Sequence, residues 1–384
     1  MAGATYQSPL EAPPEPGVDL DGLRFEVARE SDDPQLRRLL RDSPMPGWVH
    51  MTLEREPCYF YADSLQGDVH HTMVVREPDT GQVLAMGSCA VGAGYLNGRP
   101  GRVGYLGQMR VDRSCHGNPG RLLKSYRAWR SLHLDDADLY LTSIIDSNAR
   151  ARRLLTSGLR GLPEYREFTK FSTLVLPCSR WNLGRCRRRY TIARGSDKQL
   201  GEVAGFLQTC YADYQCAPCW TESVLRSPER CRGLEPGGFF LGRDQGSLVG
   251  CLAIWDQSRF KQSVVRGYDP LLRRWRGTVN LLGSVAGIPR VPPVGARLNH
   301  AYLSHIAVSG QHPGVLLQLI RAAMQDAIRR RIDWLVLGFA AANPLRRLVQ
   351  RHFRHLEYCS TLYLVTWEGA GPAVSVLDGR IPHV

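Results

Sequence analysis

The chain has 384 residues, 43% of them hydrophobic, and a formal net charge of +13. That length suits two ordinary domains better than one, the apolar share is enough for two cores, and the lack of a long uncharged apolar run excludes a membrane-spanning helix. The positive charge invites a nucleic-acid reading, but its distribution weakens it. Lysine stands only at positions 124, 170, 198 and 261, and the arginines are scattered except for Arg185, Arg187, Arg188 and Arg189.

Residues 1–22 have neither a basic start nor an apolar core and read as a disordered tail. Leu23–Ala28 reads as a strand and Pro34 as a helix start, with Asp32 or Asp33 as N-cap. Pro44–Pro57 reads as irregular, placing Trp48 and His50 over a substrate cleft. His71–Glu77 and Val83–Ala93 are strands around the turn Asp79-Thr80-Gly81, leading through Asn97-Gly98 to the apolar run Tyr105–Val111. Strands are expected again at Asp138–Leu141 and Phe168–Leu176, closing a first domain over 23–177, with 178–189 as linker. The second domain, 190–384, restarts with a strand at Tyr190–Ala193, a turn at Gly195-Ser196-Asp197 and a helix carrying Leu200, Val203, Phe206 and Leu207. Phe239–Gly242 and Ser247–Trp255 form a hairpin. Asp256–Asn299 reads as an insertion, with helices around Pro270–Arg276 and Val279–Ala286.

One unit appears twice. Tyr302–Val308 is a short apolar run, followed by turn residues Ser309–Gly314 and then Leu316, Leu319, Ile320, Ala323, Met324 and Ala327 at helical spacing. Tyr105–Val111 repeats the first run, and Pro119-Gly120 followed by Leu122-Leu123 repeats the Pro313-Gly314 turn followed by Leu316-Leu317. Downstream, Asp138–Leu141 matches Asp333–Val336, and each leads to an Asn before an Arg-rich helix, Asn148 and Asn343. A strand, a tight turn and a helix present unpaired N–H groups and a positive dipole end, which suits a diphosphate. A repeat this long points to two similar domains, since solenoid periods are shorter.

Each half resembles a GNAT acyltransferase domain, so the fold implied is a mixed α/β sheet carried by two GNAT-like domains in tandem. The resemblance implies an acyltransferase that moves an acetyl or other acyl group from acyl-CoA to an amine of a small molecule or peptide. In the second copy it assigns Ile306, Val308, Gln311, His312, Gly314, Val315 and Asn343 to coenzyme A. In the first copy it assigns Met109, Val111, His116, Gly117, Gly120, Arg121 and Asn148. Pro119 and Pro313 each remove a possible N–H donor to phosphate but fit a first helical turn.

Aminolysis of a thioester needs a base, a stabilised oxyanion and an acid for the thiolate. The equivalent strand positions are Gln108 and His305. Only the imidazole can act as a base, which places catalysis in the C-terminal half. Seven residues after each Asn, where the family often has the acid Tyr, stand Leu155 and Gln350, so Tyr358 is the candidate substitute, with Tyr165 its counterpart in the first half. Two alternatives keep the fold. One takes its acyl donor from an acyl carrier protein or aminoacyl-tRNA, on the strength of the Arg-rich linker. The other is a non-catalytic scaffold, on the strength of the missing Tyr. Cys216-Ala-Pro-Cys219 has the spacing of a zinc pair, but no second close pair follows and no metal is expected. Eleven cysteines without a secretory signal point to a reduced, cytoplasmic protein.

Overall fold

The computed structural model describes residues 18–20, 22–45, 47–112, 114, 126, 137–184, 189–285, 289–367 and 377–382. His116, Gly117, Gly120 and Arg121, with most of the first repeat's turn and helix and most of the linker arginines, lie outside them.

The first half contributes β1 (Val18–Leu20), β2 (Leu23–Val27), α1 (Asp33–Arg41), β3 (Val49–Glu54), β4 (Val69–Arg76), β5 (Val83–Leu96), β6 (Arg99–Val111), β7 (Leu139–Ile145), α2 (Ala149–Leu155) and β8 (Glu164–Pro177). The second contributes β9 (Thr191–Arg194), α3 (Leu200–Tyr211), β10 (Phe239–Asp244), β11 (Ser247–Trp255), β12 (Gln262–Tyr268) and α4 (Pro270–Val285). It continues with β13 (His300–Val308), α5 (Val315–Arg329), β14 (Trp334–Ala340), α6 (Pro344–His352) and β15 (Leu356–Thr366).

Among the described residues, thirteen strands form one sheet in the order β1-β2-β4-β5-β6-β7-β15-β8-β14-β13-β11-β10-β9. Two neighbouring pairs are parallel, β6 with β7 and β13 with β14. The halves are joined by exchanging their last strands. β15 lies antiparallel between β7 and β8, and β8 in turn pairs along β14. Leu174 and Leu176 of β8 and Leu362 and Leu364 of β15 are buried there. The exchange leaves no open sheet edge at the junction.

Helix α5 forms where the turn residues end and the helical apolar period begins. Its Leu316, Leu319, Ile320, Ala323, Met324 and Ala327 have no exposed surface and pack on Val249, Leu303, Leu335 and Leu337 of the sheet. Full burial of such side chains is worth roughly 1.5–3 kcal/mol for each large residue. The helix can lie this close because Gly242 and Gly250 have no Cβ, and one added at either would collide with Val315. On the other sheet face α3 packs Leu200, Val203, Leu207 and Tyr211 against Phe239, Leu241 and Cys251.

Two expectations are corrected. Val49–Glu54, read as irregular, is β3, and it pairs antiparallel with β12 inside the segment read as an insertion. The expected pair of helices over residues 270–286 is the single helix α4, since an interior glycine such as Gly277 costs about 1 kcal/mol but does not end a helix.

Candidate active site

In both halves the parallel strands pair at one end and then part. β6 and β7 are in register from Val103–Leu139 to Leu106–Thr142, although both strands continue. β13 and β14 are in register from His300–Trp334 to Tyr302–Val336 and then part likewise. At the point of parting each half has an irregularity in its antiparallel ladder, between Met86 and Ser88 in β5 and between Cys251 and Ala253 in β11. Opposite these lie Gln108 and His305, with φ of 52° and 53°. A left-handed backbone costs a non-glycine residue roughly 1–3 kcal/mol, and a bulge re-aims side chains and unpairs backbone groups. The same local strain is therefore kept at the same place twice.

The first opening is a cleft of about 1500 Å³. Gln108, Met109 and Val111 of β6 form one wall, and Ser143, Ile144 and Asn148 form the other. Asn148 heads α2, its Oδ1 accepting the Ala151 N–H at 3.1 Å, and Arg150 and Arg153 of that helix also face the cleft. The Tyr105 hydroxyl is hydrogen-bonded to Ser143, and burial raises its pKa. Tyr126 and Tyr165 share a short hydrogen bond. Burial pushes Tyr126 up to about 12 and Tyr165 well above its ordinary value.

Strand exchange and the β3–β12 ribbon bring the second half into this same cleft. Lys261, Gln262, Tyr302 and Tyr358 line it, facing Glu54 and Arg55 from the β3 side. Tyr358 is 46% exposed overall, but burial of its hydroxyl end, hydrogen-bonded to Thr173, raises its pKa. Burial pushes Tyr302 to about 12. Sequence reasoning missed Glu54, Arg55 and Lys261, because the pairing that assembles them joins residues some two hundred positions apart, and it missed Arg110 on β6. The β-branched Val264-Val265 was the one local signal.

The second opening is built over. The His305 ring is 5% exposed, with ring centroids of Trp220, Phe239 and Trp255 at 4.2, 5.3 and 5.7 Å, and its Nδ1 lies 2.9 Å from the Ser304 hydroxyl. Asn343 heads α6 as expected, its Oδ1 accepting the Leu345 N–H at 3.0 Å, but it is also buried and hydrogen-bonded to Tyr214. Trp220 and Tyr214 belong to one segment, held across the halves by the end of β5. The Cys216 N–H donates to the Tyr95 carbonyl at 2.7 Å, the Tyr95 N–H to Ala217 at 2.8 Å and the Cys219 N–H to Ala93 at 3.0 Å. The Cys216 thiol is buried, and burial pushes it up to about 12.

The turn before α5 occupies its own donors. The N–H groups of His312, Val315 and Leu316 donate to the carbonyls of Ser309, His312 and Pro313. Val315 is fully buried, Ile306 and Val308 pack half-buried on the α5 core, and the exposed Gln311 sits in the turn beside Gly314. The His312 ring lies 3.5 Å from the Asp244 carboxylate, a charge unfavourable to a diphosphate there. The structure thus gathers Met109, Val111, Asn148 and Tyr358 around the first cleft and places His305 away from its walls. Among the described residues no helix is long and apolar enough to cross a membrane.

No protein-family model and no curated protein sequence matches the chain. Solved structures share its fold. Saccharomyces cerevisiae N-myristoyltransferase with bound myristoyl-CoA is similar with a TM-score of 0.58 and 11% identity, over 95% of this chain and 85% of that one. A tandem GNAT protein from the clavulanic acid biosynthesis pathway gives 0.53 and 13% identity, over 91% of this chain and 99% of that one. A fungal multi-domain GH3 β-N-acetylglucosaminidase with a GCN5-related glucosamine N-acetyltransferase region gives 0.59 and 11% identity. This chain is covered over 92% but spans only 38% of that protein. The chain is a tandem GNAT fold, two copies fused through one sheet.

Proposed function

We propose that the protein transfers an acyl group from a coenzyme A thioester to an amine, with the donor held in the N-terminal cleft. The observation that carries this reading is the open parting of β6 and β7 at the Gln108 bulge, beside the Asn148-headed helix. A bulge unpairs backbone groups, so the N–H groups at Gln108 and Met109, where the ladder with β5 is irregular, are suited to the thioester arm and its carbonyl oxygen. Arg150 and Arg153 supply positive charge for the donor's phosphates.

The amine nitrogen attacks the thioester carbon, the C–S bond breaks and the thiolate departs. Tyr358, protonated at neutral pH and lining the cleft, gives its proton to the thiolate sulfur and regains one from the new amide nitrogen. This reading moves the reaction from the C-terminal half, which the imidazole of His305 suggested, to the N-terminal one. The covering of His305 and Asn343 by Trp220 and Tyr214 favours a structural second half that also lends a wall to the cleft.

Thiol release from acetyl-CoA and from longer acyl-CoA thioesters, with a mixed amine panel, tests the reaction. Turnover that falls about a hundredfold in Tyr358→Phe, with donor affinity unchanged, is expected. Undiminished turnover in that variant would remove Tyr358 from the chemistry, and no thiol release with any donor would remove the reaction itself.

A further inference from the structure

We infer that the acceptor is a small amine that also carries a carboxylate, and that Arg55, Arg110 and Lys261 hold this carboxylate inside the N-terminal cleft. The inference rests on the acyl-transfer reading of the same cleft and names its acceptor class.

Besides Arg150 and Arg153, three cations line the cleft, Arg55, Arg110 and Lys261, against the carboxylates of Asp42 and Glu54 among the described residues. Arg55 is 2% exposed and lies 4.5 Å above the Tyr59 ring. Its Nη1 donates to Asp63 at 2.5 Å and to the Tyr59 carbonyl at 3.3 Å, while its buried Nε and Nη2 have no partner among the described residues. Arg110 donates through Nη1 to the Met109 carbonyl at 2.8 Å, and its buried Nε has no partner among the described residues. Lys261 rests against the Tyr302 ring at 5.7 Å, with no carboxylate within 4.0 Å among the described residues. The neighbouring acids are already engaged. Asp63 is shared by Arg55 and His70, and Glu54 is held by Thr52 and Arg266.

Buried guanidinium N–H groups without acceptors, next to a second and third cation, only destabilise the unliganded protein. Burial and the nearby Arg55 charge lower the pKa of both Arg110 and Lys261, as expected of cations awaiting an anion. The fork of a guanidinium matches a carboxylate in geometry as well as charge. Gln108 supplies the complementary half of the site. Its buried Oε1 has no donor among the described residues, so at the bulge it can accept an N–H from the attacking amine. Arg110 leaves the strand two residues further on, roughly 7 Å away. Both residues line the one cleft, so a single small molecule can meet both.

Coenzyme A phosphates are the other source of anionic charge, and calorimetry on the full chain separates the two. The probes are the N-acetyl derivatives of the common L-amino acids and their C-terminal amides, titrated singly without coenzyme A, then acetyl-CoA alone. At least one N-acetyl amino acid is expected to bind, with its amide about a hundredfold weaker. Arg55→Met and Lys261→Met should each weaken that acid about tenfold or more, with acetyl-CoA affinity within twofold of the unmodified chain. Should Arg55→Met fail to fold, Lys261→Met carries the same comparison. Equal binding of acids and amides, or no binding of either, overturns the proposal. So does an equal loss of acetyl-CoA affinity in the variants, which assigns the cations to the donor's phosphates. Binding of the acid without binding of acetyl-CoA supports the anion site and counts against the acyl-CoA reading.

Discussion

Gln108 and His305 stand three residues after Tyr105 and Tyr302, in matching strands, with the same left-handed backbone of 52° and 53°. One faces the cleft and the other is enclosed by three aromatic rings. The two halves thus share a backbone device but differ in what the surrounding chain does with it. In the second half Tyr214 and Trp220 cover the opening, and in the first Lys261 and Tyr358 complete it.

His305→Ala tests that difference. Removing a buried ring among aromatics should lower stability by about 2–4 kcal/mol while leaving acetyl-CoA affinity and turnover within twofold. Urea unfolding with parallel thiol-release kinetics gives both quantities. Lost turnover with intact stability would return catalysis to the C-terminal half.

Val315 was assigned to the cofactor by resemblance, yet it has no exposed surface and seats α5 against Gly242 and Gly250. Val315→Ala should cost about 2 kcal/mol of stability and leave acetyl-CoA binding unchanged. A selective loss of binding would show that the turn before α5 holds the diphosphate after all.

The exchange of β8 and β15 predicts interdependent halves. Residues 1–184 and 185–384 expressed apart should lack a cooperative thermal transition by circular dichroism, because each lacks the strand that finishes its sheet. Expressed together they should copurify and melt as one unit. A half that unfolds cooperatively by itself contradicts this.

Lys261 gives a pH dependence. Burial and the Arg55 charge lower its pKa from 10.5 to about 8, so it is cationic below that value and neutral above it. The acceptor KM should therefore rise as pH passes about 8 in the unmodified chain and stay flatter in Lys261→Met. For stability the sign is the reverse. Between about 8 and 10.5 the unfolded chain binds more protons at this site, so stability from it increases with pH. Lys261→Met should be the more stable protein at pH 7, with the gap closing towards pH 10.5, as thermal melts across that range would record.

The sequence made the tandem fold legible because its repeat is local. Tyr105–Val111 and Tyr302–Val308, and the helix-heading Asn148 and Asn343, are read from short windows and stand where the spacing put them. Which opening stays open was not legible. It depends on which residues cover each opening, and Trp220 over His305 or Lys261 beside Arg55 are contacts between distant segments. A side chain's chemistry is visible in sequence and its burial is not, so the imidazole of His305 could be read there while its aromatic enclosure could not. The β3–β12 ribbon escaped for the same reason, since among the described residues the ladder partner of each strand lies in the other half.

The most direct measurement is calorimetric titration of acetyl-CoA into the full chain and into Ser143→Phe, whose larger side chain fills the parting of β6 and β7. One molecule bound per chain is expected, with affinity about tenfold or more weaker in a Ser143→Phe protein that still melts cooperatively. Unchanged affinity in that variant, or two equivalent sites per chain, would contradict a donor site in the N-terminal cleft.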